Sequence, residues 1–298
     1  MRGNFKYISP QGVVSRVNLI LISFVTIIKI LIEHCCVALL YFFSSGSKVE
    51  IVDMTHKTKG IVLRTVKYGE TSIITTVYTE LFGIQSYIVK GVRQSTKKSS
   101  GKAIYFQPAA ILDMIVYHNE FKNLNFIKEY QWAYLFQNLL FDVVKNTVSM
   151  YIVEMLQHSL KQPEAGAELF YLTEDTLKQL DTGSSTLTAN LPLYFSLHLA
   201  SELGFRIQGD YNDQTPFLDL QEGQFVEQKP SHSYFLEKQL ASATSQLLSI
   251  NFYNDLESIH FSRDVRKSLV VAYQNYVALH VPDFGEIKSL PVLQEIFS

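Results

Sequence analysis

Gly60-Ile61-Val62-Leu63-Arg64-Thr65-Val66-Lys67-Tyr68 runs into Gly69-Glu70 and then into residues 72–79, where Ile, Thr and Val fill nearly every position. β-Branched side chains crowd a helix and suit a pleated surface, so both stretches predict strands, with Tyr68-Gly69-Glu70 as the turn between them. Leu81-Phe82-Gly83 separates the second strand from a third over residues 84–89. Residues 111–117 and 124–130 supply two more, joined across His118-Asn119-Glu120. Five short strands within a single module, with turn signals between them, predict a small closed barrel.

Beyond Trp132 the apolar period changes from two to about 3.6. Leu135, Leu139, Phe141 and Val144 lead into Val148, Ile152, Met155 and Leu156, which fit one face of a helix or of two in tandem. Leu169, Leu172, Leu177 and Leu180 mark another helix, ended by Asp181-Thr182-Gly183. Residues 193–203 form a third, and Gly204 is placed to cap it in the left-handed conformation. Residues 210–230 are a polar excursion, after which helices resume over 235–248, 263–280 and 291–297. The predicted class is α+β, a five-stranded OB barrel over residues 54–131 followed by an all-helical domain over 132–298.

The chain has 298 residues, 47% apolar and 18% charged, which excludes wholesale disorder. Its two cysteines, Cys35 and Cys36, are adjacent, so neither a disulfide framework nor a Cys-rich zinc site is expected. The net charge of −2 conceals a division: residues 54–131 carry 11 Lys/Arg against 5 Asp/Glu, and residues 132–298 carry 10 against 20. A basic module joined to an acidic one points to a polyanion-binding surface on the first.

Residues 1–53 read differently. Two apolar blocks, 17–28 and 35–43, are split by Lys29 and Glu33. A spanning helix needs about 20 predominantly apolar residues, and a central Lys costs about 2.5–3.5 kcal/mol, so this is a poor transmembrane segment. It is also a poor signal peptide, with a long n-region and no small-x-small cleavage site after the first block. The expectation is that Met54 is the natural start. If the segment were instead inserted, the chain would be a membrane-tethered OB adaptor with its basic barrel against anionic headgroups.

Catalytic signatures are absent, and an enzyme is not expected. Ser99-Ser100-Gly101-Lys102 imitates the end of a phosphate-binding loop, but Thr96 stands where the first glycine belongs and Ala103 where Ser or Thr would reach magnesium. There is no H-E-x-x-H and no G-x-S-x-G, and the five acidic residues of the basic module are too dispersed for a nuclease metal site. The basic loop is more informative. Lys90, Arg93, Lys97, Lys98 and Lys102 fall among hydrogen-bonding Gln, Ser and Thr with no acidic residue between them. Lys57, Lys59, Arg64 and Lys67 precede them, and Tyr68, Tyr78, Tyr87 and Tyr105 are either stacking platforms or barrel core. Cations with aromatic platforms are what single-strand binding on an OB barrel requires, so these nine basic residues are the predicted DNA contacts.

A second cluster follows Ser262, a good N-cap. Arg263, Arg266 and Lys267 crowd a first helical turn whose dipole disfavours cations, with only Asp264 in compensation. An acidic partner would explain them, as would pairing with local carboxylates.

Lys59-Gly60-Ile61-Val62-Leu63-Arg64, Tyr68-Gly69-Glu70, Thr79-Glu80-Leu81-Phe82-Gly83, Val89-Lys90-Gly91-Val92-Arg93 and Gln107-Pro108 occur in this order. They are followed near the C-terminus by Ser262-Arg263, Tyr276, His280, Pro282, Phe284 and Lys288-Ser289-Leu290. The pattern resembles the bacterial RecO family of DNA repair and recombination mediators. The resemblance implies an OB domain followed by a helical domain, and a non-enzymatic cytoplasmic, nucleoid-associated protein that binds single-stranded and double-stranded DNA and anneals strands. It further implies that the protein works with RecR, engages the acidic C-terminal tail of single-strand-binding protein, here through Arg263, Arg266 and Lys267, and helps exchange that protein for RecA. Many relatives carry a four-cysteine zinc site in the helical domain. This chain has no cysteine there, so no metal or other cofactor is expected, and Leu218, Leu220 and Phe225 are expected to pack in its place.

Overall fold

β1 (Thr55–Tyr68) is long because it serves two pairings. In the computed structural model, which describes residues 55–93, 101–161 and 164–296, its first half runs antiparallel to β4 (Ile111–Tyr117) and its second half to β2 (Ser72–Thr79). A register shift between Val62 and Arg64 bends the strand where it changes partner. Gly60 belongs to both ladders, and a β-carbon there would collide with Met114 and Val77, so the closure needs a residue without one. β3 (Gly83–Val89) continues antiparallel from β2 and meets β5 (Asn125–Tyr134) in a short parallel pairing, which closes the barrel in the order β1-β2-β3-β5-β4. This is the five-stranded barrel expected from the sequence, with β1 starting earlier and β5 ending later than the apolar pattern indicated.

Alternation along β1 divides its side chains between two cores. Val62 joins Val77, Tyr87, Leu112 and Met114 inside the barrel. Ile61 and Leu63 point the other way and are as fully buried, against the helices. Barrel and helices thus pack on one another within a single unit spanning Asp53–Ser298.

The helices are α1 (Val143–Ser159), α2 (Ala167–Thr182), α3 (Ser185–Glu202), α4 (Lys238–Leu248), α5 (Arg263–His280) and α6 (Leu290–Ile296). α1 begins only at Asp142, whose carboxylate accepts from the backbone N–H groups of Val144 and Lys145, so Leu135 and Leu139 lie in the connector before it. α3 is buried around nearly its whole circumference and is the central helix, contacting α1, α2, α4 and α5. Capped by Ser184, it starts earlier than expected and carries Pro192 internally. Its end is a Schellman cap: Phe205 N–H donates to Ala200 O, Gly204 N–H to Ser201 O, and Gly204 has φ 90°.

The polar excursion contains a small sheet, β6 (Phe217–Asp219), β7 (Gln224–Val226) and β8 (Phe235–Glu237), in the order β7-β6-β8. Three-residue strands give too little alternation to read from sequence. Leu218, Leu220 and Phe225 are buried in the helical core, as expected for the segment. Among the described residues no helix is long and apolar enough to cross a membrane, and no group of three or more His, Cys, Asp or Glu is placed to hold a metal ion. The leader, with Cys35 and Cys36, lies outside the described residues.

Candidate nucleic-acid interface

The end of β3, the β4–β5 connection and the start of β5 converge because β3 and β5 pair in parallel at Tyr87↔Asn125 and Ile88↔Phe126. Between them and the 3₁₀ helix Lys102–Phe106 lies a groove of about 460 Å³. Four lysines line it, Lys90 from the end of β3, Lys102 from the 3₁₀ helix, Lys122 from the β4–β5 connection and Lys128 from β5, and no carboxylate does. Tyr117, Phe126 and Tyr130 supply aromatic surface between them. Phe126 is 41% exposed, with the Lys90 ammonium 5.4 Å from its ring centroid. Tyr130 is backed edge-on by Tyr105 and Phe106, at 5.3 and 4.8 Å between centroids, and Tyr105 in turn stacks on Trp132 at 4.7 Å. Cations spaced along a groove with ring faces among them can bind a chain of phosphates whose attached groups stack.

Of the predicted contacts, Lys90 and Lys102 are brought together here. Lys122 and Lys128 are not among the predicted contacts, although Phe121-Lys122 and Phe126-Ile127-Lys128 show an interleaving of aromatic and basic residues in the sequence. Arg93 is exposed, but its guanidinium donates to Gly69 O at 3.1 Å and its N–H to Thr71 O at 3.0 Å, tying the β1–β2 turn to the end of β3. Arg64 and Lys67 are exposed on the second half of β1, outside the groove lining. Lys57 is exposed outside the groove lining, sharing a pocket with Asp113, Glu129 and Tyr130, the last of which also lines the groove. Lys97 and Lys98 lie outside the described residues.

Lys59, another predicted contact, stands in an ion pair. Its ammonium is 2.9 Å from a carboxylate oxygen of Glu174, a buried residue of α2, and that hydrogen bond, outweighing burial, raises its pKa above the ordinary 10.5. A cation already paired with a carboxylate offers less of its charge to phosphate, although the Lys59 side chain is still 36% exposed. The tyrosines divide: Tyr78 and Tyr87 are buried barrel residues, Tyr68 is exposed at the β1–β2 turn, and Tyr105 is half-buried behind Tyr130.

The cluster at the start of α5 is unevenly exposed. Ser262 caps the helix through Val265 N–H, and Arg263 is exposed. Arg266 is half-buried, and its Nε donates to the side-chain oxygen of Asn190 at 3.1 Å. Asn190 is itself buried on α3 and donates to Leu256 O and Ile259 O, both at 2.9 Å. Arg266 therefore has a structural partner, and burial lowers its pKa. Val265, Leu269, Ala272, Tyr273 and Tyr276 form the buried stripe of this helix, and His280 at its end is half-buried.

Residues 54–136 match the family model described as Recombination protein O N terminal, and residues 140–291 that described as Recombination protein O C terminal. The chain is 32% identical over 245 residues to the DNA repair protein RecO of Phocaeicola vulgatus, a match covering 82% of this chain and 100% of that protein. It is 33% identical over 246 residues, with the same coverage, to the DNA repair protein RecO of Flavobacterium psychrophilum. Against the DNA repair protein RecO of Porphyromonas gingivalis the identity is 23% over 242 residues, covering 80% of this chain and 98% of that protein.

Proposed function

The chain belongs to the RecO family of DNA repair and recombination proteins, and from that premise we propose that its lysine groove is a binding track for single-stranded DNA. The observation that carries this is a groove lined by Lys90, Lys102, Lys122 and Lys128 with aromatic faces between them and no carboxylate to neutralise them. Phosphates take the ammonium groups, and bases lie against Phe126 and Tyr130. Arg64, Lys67 and Arg93 extend the basic surface beyond the groove toward a second strand or a duplex. Holding one strand by its backbone while its bases stay reachable is the condition for annealing. In this reading the protein acts without catalysis, together with RecR, to exchange single-strand-binding protein for RecA. The acidic tail of single-strand-binding protein meets the start of α5, where exposed Arg263 leads and Arg266 and Lys267 stand behind it.

Titration of the full chain with an unstructured oligonucleotide across a salt series tests the reading. Four phosphates neutralised on a single strand give a slope of about −3 in log K against log salt, from about −0.7 for each. Replacing Lys122 and Lys128 with Ala is expected to flatten it by about 1.4. An unchanged slope would place the contacts elsewhere.

A further inference from the structure

The β4–β5 connection carries a side chain that folding does not use. Phe121 is 97% exposed, the most exposed large apolar side chain among the described residues. The turn that presents it is nonetheless built. Asn119 Oδ1 accepts from Phe121 N–H at 2.9 Å, and Asn119 O accepts from Lys122 N–H at 3.0 Å. Asn119 N–H in turn donates at 3.1 Å to the side chain of Asn125, which is buried at the start of β5. At the other foot of the turn, His118 stacks on Phe82, with 3.8 Å between centroids and 15° between planes. The ring is thus held in water by hydrogen bonds at its base, with no apolar contact needed to fix it.

Its surroundings select the ligand. Its neighbours in the chain, Glu120, Lys122 and Asn123, are polar and line a pocket in which Leu81, Phe82 and Ile84 are set among Gln85, Ser86, His118 and Lys161. A protein partner that buried a Phe would want a mainly apolar surface around it. Lys122, the next residue, lines the lysine groove. A flat ring among charges, adjacent to cations that hold phosphates, matches a nucleobase, which offers a π-face and is tethered to phosphate.

Building on the DNA-binding reading of the groove, we propose that Phe121 is a stacking platform for a base of the bound strand, where that strand leaves the lysine track. Stacking releases no counterions, so it contributes affinity without contributing to the salt slope.

The test compares the full chain with its Phe121→Ala and Phe121→Trp variants, each binding an oligothymidine and a base-free deoxyribose-phosphate strand of equal length. An exposed ring can be removed without unfolding the protein, and the Trp variant restores a π-face if Ala has a broader effect. The expected result is a loss of at least about fivefold for Phe121→Ala on oligothymidine, with the salt slope unchanged, and recovery in Phe121→Trp. On the base-free strand all three proteins should bind alike. If the unaltered chain binds with a steep slope and Phe121→Ala binds oligothymidine equally well, or loses as much on the base-free strand, the stacking role is overturned while the groove stands. If the unaltered chain binds neither strand, the groove reading fails and the stacking role with it.

Discussion

Asp181 shows how much one buried carboxylate can hold. It is fully buried at the end of α2 and accepts from three successive backbone N–H groups, those of Gln137, Asn138 and Leu139, at 2.9, 2.7 and 2.7 Å, and from the Tyr134 hydroxyl. Burial pushes its pKa up, but these donors outweigh burial and hold it below the ordinary 3.8. Asp181→Ala would leave three amides of the barrel-to-helix connector without their acceptor. At about 1–3 kcal/mol for each buried group left unsatisfied, the expected loss is at least about 3 kcal/mol, read as a lower urea midpoint at pH 7. Because the folded pKa is depressed, the charge-linked part of the contribution is complete above pH 3.8 and disappears as pH falls through the lower folded value, so the gap between variant and parent should narrow in acid. The sequence showed Asp181 only as part of a helix-ending Asp-Thr-Gly. Its partners lie more than 40 positions away, and no local spacing encodes them.

At the scale of elements, β1 is fastened to α2 by Lys59, whose ammonium is 2.9 Å from an oxygen of buried Glu174, an oxygen that Lys178 of α2 itself also approaches at 2.9 Å. Burial raises the Glu174 pKa, and the two lysines more than reverse that, leaving it below 4.5. Lys59 is raised above 10.5, chiefly by Glu174. The bridge is therefore intact between these limits, lost in acid as Glu174 protonates below 4.5 and lost in alkali as Lys59 deprotonates above 10.5. Since the Lys59 side chain is 36% exposed and Lys178 remains, Lys59→Ala is expected to destabilise by only about 1–2 kcal/mol. The same substitution should leave the salt slope of DNA binding unchanged, unlike the groove lysines, and a flatter slope would return Lys59 to the DNA surface. Charge along a strand was legible in the sequence, but whether a cation faces water or a carboxylate from another element was not. Strand positions were read well where β-branched residues cluster, as in β2. The start of α3 was not, since Pro192 interrupts the helix-forming pattern and a helix buried all round shows no polar face.

For the whole described molecule, the decisive feature is that one strand serves two cores. Ile61 and Leu63 belong to the helical core, with Tyr78, Ala109 and Ile111 beside them, while Val62 lies inside the barrel. The sequence contains this as an unbroken apolar run, Ile61-Val62-Leu63, the mark of a strand covered on both faces, but not what covers the second face. Separated from the helices, the barrel would present those side chains to water, and the helices would lose the surface they close upon. Barrel and helices are therefore expected to unfold together. The chain allows a direct check, because its single tryptophan, Trp132, lies on β5 and reports the barrel, whereas far-ultraviolet circular dichroism is dominated by the helices. Ile61→Ala removes a side chain with 0% exposure, and an expected cost of about 2–5 kcal/mol should lower both midpoints in urea by the same amount. Coincident transitions in parent and variant would establish the shared core as the source of cooperativity. Two separated midpoints, with Ile61→Ala moving only one of them, would show instead that the barrel is stable without the helices and that the contact across β1 is a docking surface between independent folding units.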